Sequence, residues 1–176
     1  MPDYDVVIIG AGVTGCAVAM ELARYDLKTC VIDKDEDVCS GTSKANSGIV
    51  HAGHDALPGT LKARLNVRGS AMIRELSVRL DFPFRENGSM VVATDDDESS
   101  RQGLEELLER GIRNGVQDLR IITGDEARSY EPNLSEDIKL ALLGPHGGIV
   151  CPFLMPAAFA AFTALTAFSG IAEKGR

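Results

Sequence analysis

Apolar positions recur along this chain in two periods, and the change of period marks out the elements. Residues 5–9, Asp-Val-Val-Ile-Ile, form a short run rich in β-branched side chains and end at a glycine, the pattern of a buried parallel strand. Residues 13–25 have helical composition, with Ala17, Met20 and Leu22 available to face a sheet. Residues 28–32 predict a second strand. Residues 58–80 predict a helix: proline stands near the start, and Leu61, Leu65, Met72 and Leu76 recur at helical spacing. A strand over 88–94 then meets an acidic run at 95–98 that reads as a solvated helix start. Leu104, Leu107, Leu108 and Ile112 mark an amphipathic helix closed near Gly115. A strand over 119–123, a short helix over 125–130 capped by Gly124-Asp125, and strands over 138–143 and 148–150 follow. The fold class is therefore α/β: a β–α–β unit at the start, then part of an α+β region. The segments are 1–87, 88–153 and an apolar tail over 154–176.

Between the first strand and the first helix stands Gly10-Ala11-Gly12-Val13-Thr14-Gly15, with G-x-G-x-x-G spacing. Gly10 allows the tight turn, Gly12 a close backbone approach to a pyrophosphate, and Gly15 close packing of helix on sheet. The helix N-terminus offers free N–H groups and a positive dipole end. The second strand ends in Asp33, 18 residues beyond Gly15, where a carboxylate can accept both hydroxyls of an adenosine ribose. That acid disfavours a 2′-phosphate. The context is Rossmann-like, against the plainer reading of a glycine-rich turn with a solvated acid.

Charge and cysteine usage narrow the options. The 176 residues are 44% hydrophobic and 25% charged, which is ordinary for a globular chain. The formal net charge is −8 with no basic stripe, which disfavours nucleic acid. The cysteines, Cys16, Cys30, Cys39 and Cys151, form no C-x-x-C pair, and with three histidines they give no metal pattern. Reduced thiols and a chain that enters its first strand at once suggest a cytoplasmic setting; a peripheral place at the inner face of a membrane is also open.

Residues 39–54 are dense in small and hydroxylic side chains, suited to a backbone passing close to a ligand, or to a polar surface loop. With this loop, the chain resembles the FAD-dependent oxidoreductases of the D-amino-acid oxidase/glycerol-3-phosphate dehydrogenase superfamily. The resemblance rests on the first motif, on Asn46-Ser47-Gly48-Ile49-Val50-His51-Ala52-Gly53, and on Pro58-Gly59-Thr60-Leu61-Lys62-Ala63-Arg64-Leu65. It is strengthened by Gly88-Ser89-Met90-Val91-Val92-Ala93, Glu131-Pro132-Asn133-Leu134 and Gly148-Ile149-Val150. The groups it is most similar to are the anaerobic-type glycerol-3-phosphate dehydrogenases and the L-2-hydroxyglutarate oxidases.

The resemblance implies FAD as cofactor and a small hydroxy acid or polyol phosphate as substrate. A hydride passes to flavin N5, and the electrons leave to oxygen, a quinone or an electron-acceptor subunit. It places Gly10, Gly12 and Gly15 at the pyrophosphate and Asp33 at the adenosine ribose, with Ala11, Val13, Thr14 and Lys34 also in the cofactor site. Ser43, Lys44, Asn46, Ser47 and Gly48 line the path toward the flavin. His51 falls near the isoalloxazine, where an imidazole takes the hydroxyl proton or steadies charge on the reduced ring; equally, it only hydrogen-bonds its neighbours. His54 is a weaker candidate. A nicotinamide-linked dehydrogenase and a non-catalytic dinucleotide-binding module remain the alternatives.

Family members are much longer, and a returning segment completes their flavin pocket. After Phe153 the text also departs from pattern, with alanine and phenylalanine through Leu165. That run is shorter than the roughly 20 residues a membrane span needs. The expectation is a truncated or frame-shifted copy with an uncovered sheet, prone to aggregate and weak in retaining FAD.

Overall fold

The computed structural model describes residues 3–173. In chain order the elements are β1 (Val6–Ile9), α1 (Val13–Leu22), β2 (Thr29–Ile32), β3 (Ile49–Val50), α2 (Leu61–Leu80), β4 (Phe84–Arg85), β5 (Ser89–Ala93), α3 (Glu98–Asn114), β6 (Arg120–Thr123), α4 (Gly124–Tyr130), β7 (Leu140–Gly144), β8 (Gly148–Val150) and α5 (Leu154–Glu173). They fall into two compact units. The first takes the described parts of 1–48, 76–83 and 150–176; the second takes 49–75 and 84–149. This division differs from the segments 1–87, 88–153 and 154–176: residues 49–75 group with the second unit, and the tail groups with the nucleotide motif.

In the first unit β1 and β2 pair in parallel, Val6 opposite Thr29 and Ile9 opposite Ile32, with α1 as the crossover. The buried face of α1 is Cys16, Ala19 and Met20, an i, i+3, i+4 set. It is therefore turned from the Ala17, Met20, Leu22 stripe the sequence predicted. α5 packs against α1. Phe159, 4% exposed, meets Phe82 edge-on with ring centroids 5.9 Å apart. The apolar tail is thus a packing helix of this unit. No helix among the described residues is long and apolar enough to cross a membrane.

The expectation that β1 is buried fails on one face. Val7 is 52% and Ile9 85% exposed, while Val6 and Ile8 are half-buried. Side chains alternate across a strand, and burial needs a layer on each side. Here α1 covers one face, and the described residues place nothing over Val7 and Ile9.

In the second unit β7 is central, antiparallel to β5 (Val91 opposite Leu142) and to β6 (Ile121 opposite Leu142). All five residues of β7 are buried. Leu142 joins Ala52, Leu104, Val116, Leu119 and Leu140 in one cluster; Ala141 and Leu143, on the other face, join Ile122 and Ala127. A three-stranded sheet of order β3-β8-β4 completes the unit. β3 and β4 were not anticipated. α2 starts at Leu61 and not at Pro58, because the Thr60 hydroxyl accepts from Ala63 N–H at 3.2 Å. α4 is capped by Thr123, whose hydroxyl accepts from Glu126 N–H, and not by the expected Gly124-Asp125, which lie inside its first turn. At α3 the acidic run supplies its cap: Asp97 accepts from Ser100 N–H at 2.8 Å.

Candidate functional site

At the end of β1 the chain turns on Gly10, whose φ of +103° lies where L side chains are strained. Gly10 N–H donates to Ile32 O at 2.8 Å, tying the turn to the end of β2. A Cβ on Gly15 would stand 1.9 Å from Gly10 O, so only hydrogen fits there. These two glycines bring the start of α1 down onto the strand ends.

Gly12, the N-cap residue, has no side chain to offer the helix, and Ser43 fills that role from 30 residues away. Ser43 Oγ accepts from Val13 N–H at 2.9 Å, and a Cβ on Gly12 would lie 2.9 Å from that oxygen. The first intrahelical bond runs from Cys16 N–H to Gly12 O. Gly12, Thr14 and Gly15 therefore carry the remaining helix-end donors, in the positive end of the helix dipole.

Asp33 closes the other side. Its Oδ2 accepts from Ala11 N–H at 2.5 Å and its Oδ1 from Asp35 N–H at 3.0 Å. The Ala11 bond, and then the Asp35 bond, hold the carboxyl below the usual carboxylate range. A carboxylate offers about four acceptor sites, so these bonds leave acceptor capacity for sugar hydroxyls. Asp33, Lys34, Ile9, Gly10 and Ile32 line an open cleft at the carboxyl ends of the strands, where such folds bind ligands.

The following loop is internally braced. Asn46 Nδ2 donates to Ser43 O at 2.6 Å, and Asn46 Oδ1 accepts from Gly48 N–H at 2.8 Å. Gly48 has φ +67°, and a Cβ there would stand 2.3 Å from Val150 O. Lys44 and Ser47 are exposed. Asn46 thus braces the Ser43 backbone while the Ser43 hydroxyl caps α1.

One participant escaped the sequence reading. Cys39, at φ 61°, donates its N–H to Ala11 O at 2.8 Å and its thiol to Pro152 O at 3.2 Å. The Cys16 thiol donates to the same Ala11 carbonyl at 3.4 Å. The Ala11–Gly12 turn is therefore held on one side by Asp33 and on the other by two cysteines. Burial pushes both thiols up from their ordinary value. Nothing local in the sequence signals these contacts.

His51 and His54 belong to the second unit. His51 is exposed just beyond β3. His54 is 8% exposed, burial pushes its pKa down, and its Nδ1 has no hydrogen-bond partner among the described residues. His54 is accordingly a neutral packed side chain.

Comparison with known proteins agrees with this geometry. The profile of the family described as FAD dependent oxidoreductase matches residues 5–167. A glycerol 3-phosphate dehydrogenase of Caloramator mitchellensis is 49% identical over 150 residues, covering 85% of this chain and 31% of that protein. A mitochondrial L-2-hydroxyglutarate dehydrogenase of Caenorhabditis elegans is 36% identical over 152 residues, covering 85% of this chain and 34% of its own length. The chain thus spans about a third of the length of these curated relatives. Among solved structures, dithionite-reduced L-alpha-glycerophosphate oxidase of Mycoplasma pneumoniae with FAD bound superposes with a TM-score of 0.83 at 32% identity, over 94% of this chain and 44% of that one. With a glycine-lined turn, a capped helix end and an acid at the end of the second strand, and a family match along nearly its whole length, the chain belongs to the FAD dependent oxidoreductase family.

Proposed function

We propose that the first unit holds the adenosine diphosphate half of FAD, and that the whole protein oxidises a hydroxyl-bearing carbon, with glycerol 3-phosphate as the substrate. The observation that carries the cofactor assignment is the Asp33 carboxylate fixed at the mouth of the glycine turn by Ala11 N–H. The N–H groups of Gly12, Thr14 and Gly15 bind the pyrophosphate, and Asp33 takes the ribose hydroxyls beside Lys34. Ser43 keeps the helix end open by occupying Val13 N–H with a neutral oxygen. Lys44, Asn46, Ser47 and Gly48 carry the chain on toward the ring system. FAD supplies the hydride acceptor. His51 takes the hydroxyl proton as the carbon is oxidised, a role open to an exposed imidazole.

The choice of glycerol 3-phosphate follows the 49% identity to a dehydrogenase of that name. The L-2-hydroxyglutarate relatives, at 36%, support the second reading, and both substrates are anionic secondary alcohols. Oxygen, a quinone or an acceptor subunit receives the electrons. The test is a titration of the full chain with FAD, followed by flavin absorbance and tryptophan-free flavin fluorescence, and then dye reduction with each substrate. Saturable binding lost in Asp33→Asn supports the cofactor assignment. Faster bleaching by glycerol 3-phosphate than by L-2-hydroxyglutarate supports the substrate; the reverse order favours the second reading. Binding of a nicotinamide dinucleotide in preference to FAD would overturn both.

A further inference from the structure

His146 sits in the turn between β7 and β8, and both of its ring nitrogens face carboxylates. Nδ1 lies 2.9 Å from Glu86 Oε1, and Nε2 lies 2.9 Å from Asp118 Oδ2. Glu86 also pairs with Arg74 of α2. Four charged groups from four chain segments therefore meet inside the second unit. An ionised carboxylate only accepts hydrogen bonds, so the two contacts need two N–H donors. Neutral imidazole has one N–H and would turn a lone pair toward one of the carboxylates. The imidazolium satisfies both.

We infer that this cluster is a pH-operated clasp: protonated His146 ties the β7–β8 turn to Glu86 and Asp118, and loss of that proton releases Asp118. Asp118 leaves first because its side chain is 74% exposed, whereas Glu86 is 34% exposed and held by Arg74 as well. The release has a local consequence. His146, Arg74, Ala52, Ser70, Val116 and Gln117 line a cleft of the second unit, and Gln117 adjoins Asp118 in the chain. Freeing Asp118 loosens that wall of the cleft.

The charged groups facing the ring among the described residues are Asp118 and Glu86, with Arg74 behind Glu86. The Asp118 bond, then the Glu86 bond, raises His146 above its usual value; the His146 bond, then Arg74, lowers Glu86. The His146 contribution is complete below about pH 6.5 and is lost as pH rises through the raised folded value. The Glu86 contribution is present above its ordinary value near 4.5 and is lost as pH falls through the lowered one. The clasp is thus tightest in mild acid and opens on the alkaline side. This inference is independent of the cofactor assignment.

The test is hydrogen exchange of the full chain from pH 5.5 to 8.5, corrected for intrinsic rates, in peptides covering 116–120 and 144–148. The expected result is a roughly fivefold rise in opening across that range, the scale of a partly exposed ion pair. The rise disappears in Asp118→Asn, whose amide can serve either state of the ring, and in His146→Gln. A flat wild-type profile, or a rise that persists in both variants, overturns the clasp. Should the variants fail to fold, an NMR titration of His146 in the wild type decides: a midpoint above 6.5 is expected, and one at or below 6.5 rejects it.

Discussion

Replacing Gly15 by alanine tests the nucleotide turn with a single methyl group. The added Cβ would stand 1.9 Å from Gly10 O, 3.0 Å from Gly10 C and 3.4 Å from Ile8 Cγ2. Relief to an ordinary contact of 3.4 Å requires the helix start and the strand end to part by about 1.5 Å. Neither side yields freely. Gly10 is tied to Ile32 O and sits at φ +103°, while the first turn of α1 is tied to Ser43. Overpacking of this kind costs about 1–3 kcal/mol. For a chain of this length that is about 2–12 °C in melting temperature, at 2–4 °C per kcal/mol. The damage falls on the pyrophosphate donors, so FAD affinity should drop by more than the loss of stability accounts for. The assays are thermal denaturation without ligand and a flavin titration well below the melting temperature. Gly41→Ala is the control, because a Cβ there meets nothing within 4 Å. A Gly15→Ala protein with the melting temperature and FAD affinity of the Gly41→Ala control would show that the turn does not make the close approach described, and the cofactor proposal would lose its foundation.

Asp33→Asn should lower FAD affinity by on the order of tenfold, since a charged acceptor of two hydroxyls is replaced by an amide with one acceptor oxygen. Without ligand, the wild-type contribution of Asp33 is present above about pH 3.9 and is lost as pH falls through its lowered folded value, so the variant should flatten that acid limb in a pH series of melts. Ser43→Ala removes the acceptor for Val13 N–H and should cost about 0.5–2 kcal/mol in urea denaturation, as loss of a helix cap does; no change in midpoint would contradict the capping role. Leu142→Ala empties a position with 0% exposure at the centre of β7 and should cost about 2–5 kcal/mol, read as a fall in the urea midpoint with unchanged slope.

The parts of the fold legible in the sequence are those whose cause is local. Gly10 and Gly15 could be read because turn geometry and close approach exclude a side chain there, and spacing alone carries that information. β7 could be read because its apolar run is buried on both faces. The two-residue strands β3 and β4 could not, since two residues carry no period. Ser43 at Val13 and Cys39 at Ala11 are contacts across some thirty residues, invisible to any window that finds helices and strands. Val7 and Ile9 show the same limit: β-branched residues predict a strand correctly, but whether a face is covered depends on another layer. The caps of α2 and α4 were missed by a few residues because threonine, glycine and aspartate are all acceptable at a helix start.

The first unit is stitched from three stretches of chain, and that has a bearing on its birth at the ribosome. The carbonyl that receives the Cys39 thiol lies 113 residues downstream, and Phe82 waits for Phe159 in the same way. At roughly 5–20 residues per second, Cys39 is translated roughly 6–23 s before its partner. During that interval β1, α1 and β2 are without their companion helix, and the second unit, which closes at residue 149, is itself finished only three residues before Pro152. The nucleotide turn is therefore translated well before the segments that lock it in place.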